Sequence, residues 1–211
     1  MKYLLFSLMV LTTACASTYR SLQPSTADAS CVEKIKPRPI STTWFHAGVD
    51  VVGKHISGLL LIKPMDAGKK RVVFTNEAGV TFFDFEFGPN HFFQVKKVIS
   101  QLNKKVVINT LRKDFELLLG IPFQGQTINA WSTDSLRYFG VENRSAKERY
   151  FFVTDTQCSK LNRLETGSLK NPKLTVTLTG VDSSQPGTVV IRHQTFDMVI
   201  TLQKMIGDAA E

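Results

Sequence analysis

The sequence lacks an apolar run long enough to cross a membrane as a helix. Its most apolar stretch, residues 3–11, follows the positively charged Lys2 and precedes three small residues at positions 12–14. A membrane-spanning helix needs about 20 apolar residues, whereas the core of a secretion signal needs roughly 7 to 15. We therefore interpret residues 1–14 as a signal peptide.

Cysteine is scarce, with three in the chain, and Cys15 directly follows the apolar run and its small residues. This start resembles a bacterial lipoprotein signal, in which a peptidase cleaves before the cysteine and acyl chains are attached to it, although leucine is usual where Thr12 stands. Each buried methylene of such a chain adds about 0.8 kcal/mol of membrane affinity. The resemblance implies lipidation of Cys15. The alternative is an ordinary signal cleaved near Ala14 or Ala16.

The other two cysteines, Cys31 and Cys158, could form one disulfide. An exported protein meets an oxidising environment, where such bonds persist. Closing a loop of 127 residues would stabilise the fold by about 4 to 5 kcal/mol in the chain-entropy model. The sequence does not show that their Cα atoms come within about 7 Å, so two unpaired thiols remain the alternative.

Long blocks of one charge are also missing. The chain has 26 Lys and Arg against 18 Asp and Glu, a formal net charge of +8, and its basic residues are dispersed. A nucleic-acid-binding arm is not expected from this pattern. The positive charge either serves solubility or attracts anionic headgroups or an acidic partner.

Motifs for catalysis, metals and cofactors are absent from the sequence. No Cys-x-x-Cys, His-Glu-x-x-His, Gly-x-Ser-x-Gly or phosphate-binding loop occurs. No two histidines have metal-binding spacing; the four are His46, His55, His91 and His193. We expect neither enzymatic activity, nor a metal site, nor a cofactor.

Three carboxylates are candidates for acid–base chemistry, namely Asp84, Glu86 and Asp114. Asp84 and Glu86 share one face of a predicted strand, where a solvated face is the more common role than an acid and base pair. Asp114 interrupts the apolar side of a predicted helix, and we expect it to pair structurally with a backbone amide or with Arg71 or Arg112.

The pattern along the chain predicts a mainly β (α+β) fold. Residues 15–40 are rich in Ser, Thr, Ala and Pro and are interpreted as a flexible tether. Residues 41–205 contain alternating runs separated by short turns, such as Gly53-Lys54, and 206–211 form a tail. We expect an antiparallel curved sheet or half-barrel of about ten strands, covered by one long helix.

That helix is predicted over residues 103–119, with Asn103 as its N-cap and Gly120 and Pro122 as its stop. Its apolar positions recur at helical spacing, namely Val107, Leu111, Phe115 and Leu118. On one predicted strand, alternation places three aromatic residues on a common face, namely Phe83, Phe85 and Phe87. These seven residues are the candidates for lining a cavity between sheet and helix. The alternative is an ordinary filled core.

The stretches at 56–64, 71–87 and 110–119 are similar to a family of small envelope lipoproteins of unassigned function. Their arrangement also resembles the lipoprotein carriers LolA and LolB. That resemblance implies an incomplete β-barrel closed by helices over an acyl-binding cavity. LolB inserts lipoproteins with an exposed apolar loop, for which residues 121–131 are the nearest candidate here. A buried loop is the alternative explanation of those residues.

The expected function is a lipid-anchored envelope protein, in the outer membrane and facing the periplasm, that binds an acyl chain, lipid or lipoprotein. The alternative is a structural or assembly lipoprotein that docks onto another envelope protein and holds no ligand. An apolar cavity of several hundred Å³ favours the first, and a filled core with an exposed apolar patch favours the second.

Overall fold

The computed structural model describes residues 18–182 and 185–205. Within these ranges the chain forms two α-helices and thirteen strands. The helices are α1 (Ala29–Ile35) and α2 (Lys105–Leu118). The strands are β1 (Gln23–Ser25), β2 (Thr43–Val51), β3 (Lys54–Pro64), β4 (Lys70–Thr75), β5 (Thr81–Phe87), β6 (Phe93–Val98), β7 (Asn129–Ser132), β8 (Leu136–Asn143), β9 (Glu148–Asp155), β10 (Leu161–Ser168), β11 (Pro172–Asp182), β12 (Gln185–His193) and β13 (Met198–Lys204).

All thirteen strands belong to one antiparallel sheet, in the order β1-β7-β8-β9-β10-β11-β12-β13-β2-β3-β4-β5-β6. The edge strands β1 and β6 do not pair with each other, so the sheet is not closed. The predicted class, a curved antiparallel sheet covered by one long helix, is confirmed. The strand number exceeds the predicted number of about ten, in part because β1 and β7 are only three and four residues long and show no clear alternation.

The core forms where alternating strand residues meet on the concave face. On β4, Val72 and Phe74 are buried, and they pair across the ladder with Phe85 and Phe83 of β5. The Phe83 and Phe85 rings stack with centroids 4.6 Å apart. Period-two spacing therefore brings the aromatic stripe of β5 together, as the sequence pattern predicts.

Helix α2 packs across this face through Leu111, Phe115 and Leu118, which are all buried. It ends at Leu118, with Leu119 as its C-cap, and Gly120 follows in the left-handed region at φ 68°. The Lys70 ammonium donates to the Leu119 carbonyl at 2.9 Å, which satisfies an unpaired carbonyl at the helix end. Burial lowers the pKa of Lys70.

The predicted N-cap of α2 is wrong. The capping position is Lys104, and its side chain makes no hydrogen bond to the helix. An ammonium has only donors, so it cannot accept from the free backbone N–H groups there. Asn103 instead belongs to the preceding turn, where its N–H donates to the Ile99 carbonyl at 3.0 Å.

The interpretation of residues 15–40 as a flexible tether is wrong from Thr18 onward. Tyr19, Ile35 and Ile40 are buried, and β1 pairs with β7. Asp28 caps α1 by accepting from the Ser30 N–H at 2.9 Å. Apolar residues spaced within a Ser- and Pro-rich stretch dock this segment on the sheet, so composition alone was misleading.

Cys31 of α1 and Cys158, in the turn after β9, form a disulfide in the structure, with their Cα atoms 5.6 Å apart. The bond ties the N-terminal segment to the sheet. The signal peptide, Cys15 and the tail at 206–211 lie outside the described residues. None of the helices in the described ranges combines the length and apolar character needed to cross a membrane.

Candidate functional site

An apolar cavity of about 330 Å³ lies between the concave face of the sheet and α2. Among the described residues that line it, Thr110 alone is polar. Cavities that bind small molecules occupy about 300 to 1,000 Å³, so this one is at the small end of that range. The lining residues are Ala47, Val49, Val51, Ile56, Leu60, Phe74, Phe83, Leu102, Val106, Val107, Thr110, Leu111, Phe115, Phe196, Met198 and Ile200.

The cavity wall includes one small residue, Ala47, at the centre of the sheet. Ala47 of β2 pairs directly with Gly58 of β3, and both are buried. A Cβ atom at Gly58 would lie 2.0 Å from the Thr75 carbonyl oxygen, so only glycine fits there. Flanking positions on the same face carry larger side chains, such as Leu60 and Val49. The small Ala47 side chain therefore leaves space on this face, whereas Thr75 and Phe74 already occupy the space beside Gly58.

The N-terminal half of α2 covers the cavity, while other parts of the helix hold it in place. Val106, Val107 and Thr110 line the cavity, and the Lys70 contact with Leu119 fixes the opposite helix end. Because the start of α2 has no side-chain cap, the covering half is the less restrained half of the helix.

Four of the seven predicted cavity residues line the cavity: Phe83, Val107, Leu111 and Phe115. Phe83 and Phe115 meet with ring centroids 5.8 Å apart, which joins the sheet wall to the helix wall. These four lie near the start of β5 and on the inward face of α2.

The other three predicted cavity residues, Phe85, Phe87 and Leu118, are buried in filled core instead. Phe85 and Phe87 each pack on Phe93 of β6, with ring centroids 5.3 Å apart. Side chains on one strand face share a direction but extend along the strand, so the later members of the stripe lie beyond the cavity. The common face of the three phenylalanines was correctly predicted, but the length over which that face borders the cavity was not.

The sequence reasoning missed the cavity wall formed by β2, β3 and β13. Ala47, Val49 and Val51 alternate along β2, and Met198 and Ile200 alternate along β13. These are the first and last long strands of the chain, and they are neighbours in the sheet because β13 pairs with β2, for example Met198 with Val51. The detectable signal was the small, apolar alternation from 47 to 51, which the larger phenylalanine stripe obscured.

A buried carboxylate lies beside the cavity. Asp114 is fully buried, and its Oδ1 lies 2.9 Å from Nε2 of His193 on β12, without a well-directed hydrogen bond between them. Burial raises the pKa of Asp114, and the nearby His193 partly opposes that rise. The expected arginine or backbone partner is therefore wrong. The ring of His193 packs on Phe196, a cavity residue, with centroids 4.4 Å apart.

Asp84 and Glu86 lie away from the cavity and form ion pairs. Arg71 donates to Asp84 at 2.7 Å, and Lys69 donates to Glu86 at 2.8 Å. The hydrogen bond from Lys69 lowers the pKa of Glu86. The two carboxylates lie on the face opposite the phenylalanine stripe, as the alternation predicts. The expected solvated face is wrong, because Asp84 is buried and Glu86 is half-buried. Within residues 18–182 and 185–205 there is no group of three potential metal ligands.

The apolar residues of the candidate insertion loop at 121–131 pack against the domain, while its polar residues at 124–127 are exposed. Ile121 is buried at the end of α2, and Phe123 contacts Phe152 edge to face with centroids 5.2 Å apart. Trp131 lies in β7 and packs on Phe151 at 5.3 Å. Burial therefore explains the apolar residues of this segment, as the alternative explanation holds.

Comparisons with known proteins find similarity in structure alone. No protein-family model and no curated protein match the sequence. A LolA superfamily protein from Nitrosomonas europaea is similar over 86% of this chain and 93% of its own, at 9% identity and a TM-score of 0.49. A DUF1329 family protein from Desulfovibrio piger is similar over 86% and 92%, at 9% identity and a TM-score of 0.41.

A third structure, described as an outer membrane lipoprotein-sorting protein domain from Vibrio parahaemolyticus, is similar over 86% of this chain and 91% of its own. Its identity is 6% and its TM-score is 0.42. The likeness in each case concerns the fold.

Proposed function

We propose that this protein binds a single hydrophobic chain, such as the acyl chain of a lipid or lipoprotein, between the concave face of the sheet and α2. The observation that carries the proposal is the apolar cavity of about 330 Å³ beneath the N-terminal half of the helix. Protein interiors are normally close-packed, and an unfilled cavity costs stability. A ligand that fills the space recovers the missing contacts.

The lining chemistry indicates the ligand class. An almost wholly apolar wall offers no partner for a charged or strongly polar group, whose burial without hydrogen bonds costs several kcal/mol. Thr110 supplies a single hydroxyl near the helix. A chain-like apolar group fits these walls, and a polar headgroup would remain outside them.

The proposal also includes the anchor. Acylation of Cys15 would hold the domain at a membrane, in the outer membrane facing the periplasm, where lipids are a local ligand source. The apolar run, the small residues before Cys15 and the predicted export support this location. No catalytic step is part of the proposal.

A second candidate function is docking onto another envelope protein. Its specific support is a group of exposed large apolar residues at the end of the sheet opposite the start of α2, namely Trp44, Met65 and Phe92. Exposed apolar groups of this kind are typical of protein contact sites.

Binding of a fluorescent fatty-acid probe separates the two functions. Leu111 lines the cavity, so we expect Leu111→Gln to weaken probe binding at least about tenfold, or roughly 1.4 kcal/mol, because the amide is left without a partner. Leu136→Gln is the matched control, since Leu136 packs against a separate cluster around Tyr19 and Phe151. Both variants must retain the wild-type circular dichroism spectrum.

Saturating concentrations of probe without binding to the wild-type protein would contradict the proposal, provided that a known lipid carrier binds under the same conditions. Equal weakening by the two substitutions would also contradict it, because the effect would then not depend on the cavity.

A further inference from the structure

The described chain begins at a fixed point on the sheet. The Thr18 N–H donates to the Asn171 side chain at 3.1 Å, and the Tyr19 N–H donates to the Lys170 carbonyl at 2.9 Å. Tyr19 is buried and packs edge to face on Phe151 with centroids 5.2 Å apart. Thr18, the first described residue, is therefore held beside the turn between β10 and β11.

This turn lies at the same end of the sheet as the cavity mouth, the opening at which the lining residues Val106 and Phe196 are exposed. The Gln194 N–H donates to the Lys173 carbonyl at 2.8 Å, which joins the β10–β11 and β12–β13 turns. The Val52 N–H donates to the Asp197 carbonyl at 3.0 Å, which joins the β12–β13 and β2–β3 turns. Neighbouring strands are about 4.8 Å apart, so the β10–β11 turn and the β12–β13 turn are separated by roughly 10 Å.

Exposed apolar side chains surround the mouth at this end. Val52 is 72% exposed, Val106 is 77% exposed, and Phe196 is 43% exposed. Val52 also has a φ of 47°, a left-handed conformation that is costly for a β-branched residue and usually taken by Asn or Gly in a hairpin turn. Folding alone does not favour valine at such a position.

Exposed lysines accompany these apolar residues, namely Lys54, Lys104 and Lys105. The last two precede Val106 at the start of α2, where the positive end of the helix dipole disfavours cations. Their placement costs helix stability but suits an anionic surface. The nearby acidic residues are Asp197 and Asp50, and Asp50 is paired with His55 at 2.6 Å.

The distance to the anchor decides which end of the protein meets the membrane. Cys15 is three residues before Thr18, and an extended chain spans at most about 3.5 Å per residue, so the reach is roughly 10 Å. Strand β3 has eleven residues and is therefore about 36 Å long. An anchor at Cys15 thus reaches the mouth end and not the opposite end, where Met65 lies.

We infer that the mouth end, with Val52, Val106 and Phe196 and the neighbouring lysines, rests on the anionic lipid bilayer that holds the acyl chains of Cys15. This inference depends on the lipidation that forms part of the proposed function. It places the opening of the cavity against the surface that supplies its ligand, so that an apolar chain enters or leaves without crossing water.

Site-specific labelling of the full mature chain tests the orientation. The chain is purified with its acyl groups and placed in vesicles of phosphatidylethanolamine and phosphatidylglycerol. A polarity-sensitive dye is attached to Val52→Cys in one sample and to Met65→Cys in the other. Val52 precedes β3 and Met65 follows it, so the two labels are matched turn positions at opposite ends of one strand. Cys31 and Cys158 are joined and do not react.

We expect spin-labelled lipids to quench the dye at position 52 several-fold more strongly than the dye at position 65. Stronger quenching at position 65, or equal quenching of both, overturns the orientation while leaving the anchor and the cavity proposal intact. Mass spectrometry of the same sample reports acylation. A chain without acyl groups on Cys15 overturns both the anchor and this orientation, and probe binding to the cavity is then measured separately.

Discussion

Ala47 is the residue on which the cavity depends most directly. Its neighbours on the concave face, such as Val49 and Leu60, are larger, and its cross-strand partner is Gly58. Single positions of this kind have no periodic signature, because alanine and leucine satisfy the same apolar alternation. The sequence pattern therefore predicts an apolar face and does not distinguish a filled face from a hollow one.

Asp114 is the residue with the clearest pH dependence. Its pKa is raised in the folded state by burial, whereas an unfolded aspartate titrates near 3.9. Above that pH the folded state retains a proton that the unfolded state has lost, so the free energy of unfolding falls as pH rises through the folded-state pKa. Lys113, Glu148, Lys173 and His193 line the same cleft and contribute to its field.

Asp114→Asn removes this titration while preserving size. We expect the stability of the wild type relative to the variant to be greatest near pH 4 and to decline as the pH rises towards neutrality. Urea denaturation at a series of pH values measures the difference, and Asp134→Asn at an exposed loop position corrects for the general loss of a carboxylate. A relative stability that increases with pH would mean that attraction to His193 outweighs burial.

Helix α2 was predicted well as an element because its signal is local. The spacing of Val107, Leu111 and Phe115 fixes the inward face, and Gly120 fixes the end. Its N-cap was predicted one residue too early, since Asn103 is a good capping residue that the preceding turn instead uses in its backbone hydrogen bonds. Capping preferences are weak compared with the geometry that a sheet-to-helix connection imposes.

The N-terminal segment shows the opposite case, an element whose signal is tertiary. Helix α1 has seven residues, too few for stability by itself, and it is held by Cys31 and Ile35 in the core. Pairing of β1 with β7 joins residues more than a hundred positions apart. Local composition therefore predicts a tether, and only the assembled sheet shows where the segment docks.

Loss of the disulfide tests the role of this segment. Replacing Cys31 and Cys158 together by Ser opens a loop of 127 residues, so we expect the free energy of unfolding to fall by about 4 to 5 kcal/mol in the chain-entropy model. Denaturant titration of the two proteins measures the loss. Reductant should destabilise the wild type and leave the double variant unchanged. A wild type that is insensitive to reductant would contradict the pairing.

At the scale of the whole molecule, alternation and short turns were sufficient to predict a curved antiparallel sheet with a covering helix. Neither shows how the sheet is ordered across its middle, where β13 pairs with β2 and joins the two ends of the chain. The cavity lies beside this long-range pairing, and three of its walls, β2, β3 and β13, were missed for that reason. The predicted cavity residues were those whose neighbours are close in sequence.

The central claim is that the cavity holds an apolar chain, and native mass spectrometry of the Cys15→Ser protein tests it most directly because no covalent acyl group is then present. We predict a non-covalently bound lipid in this protein. Ala47→Leu, which places a larger side chain in the cavity, should reduce the bound lipid, whereas Ala130→Leu, at a buried position outside the cavity, should keep it at a packing cost of about 1 to 3 kcal/mol. The account would be contradicted if the Cys15→Ser protein carried no lipid and Ala47→Leu raised its stability without any other effect.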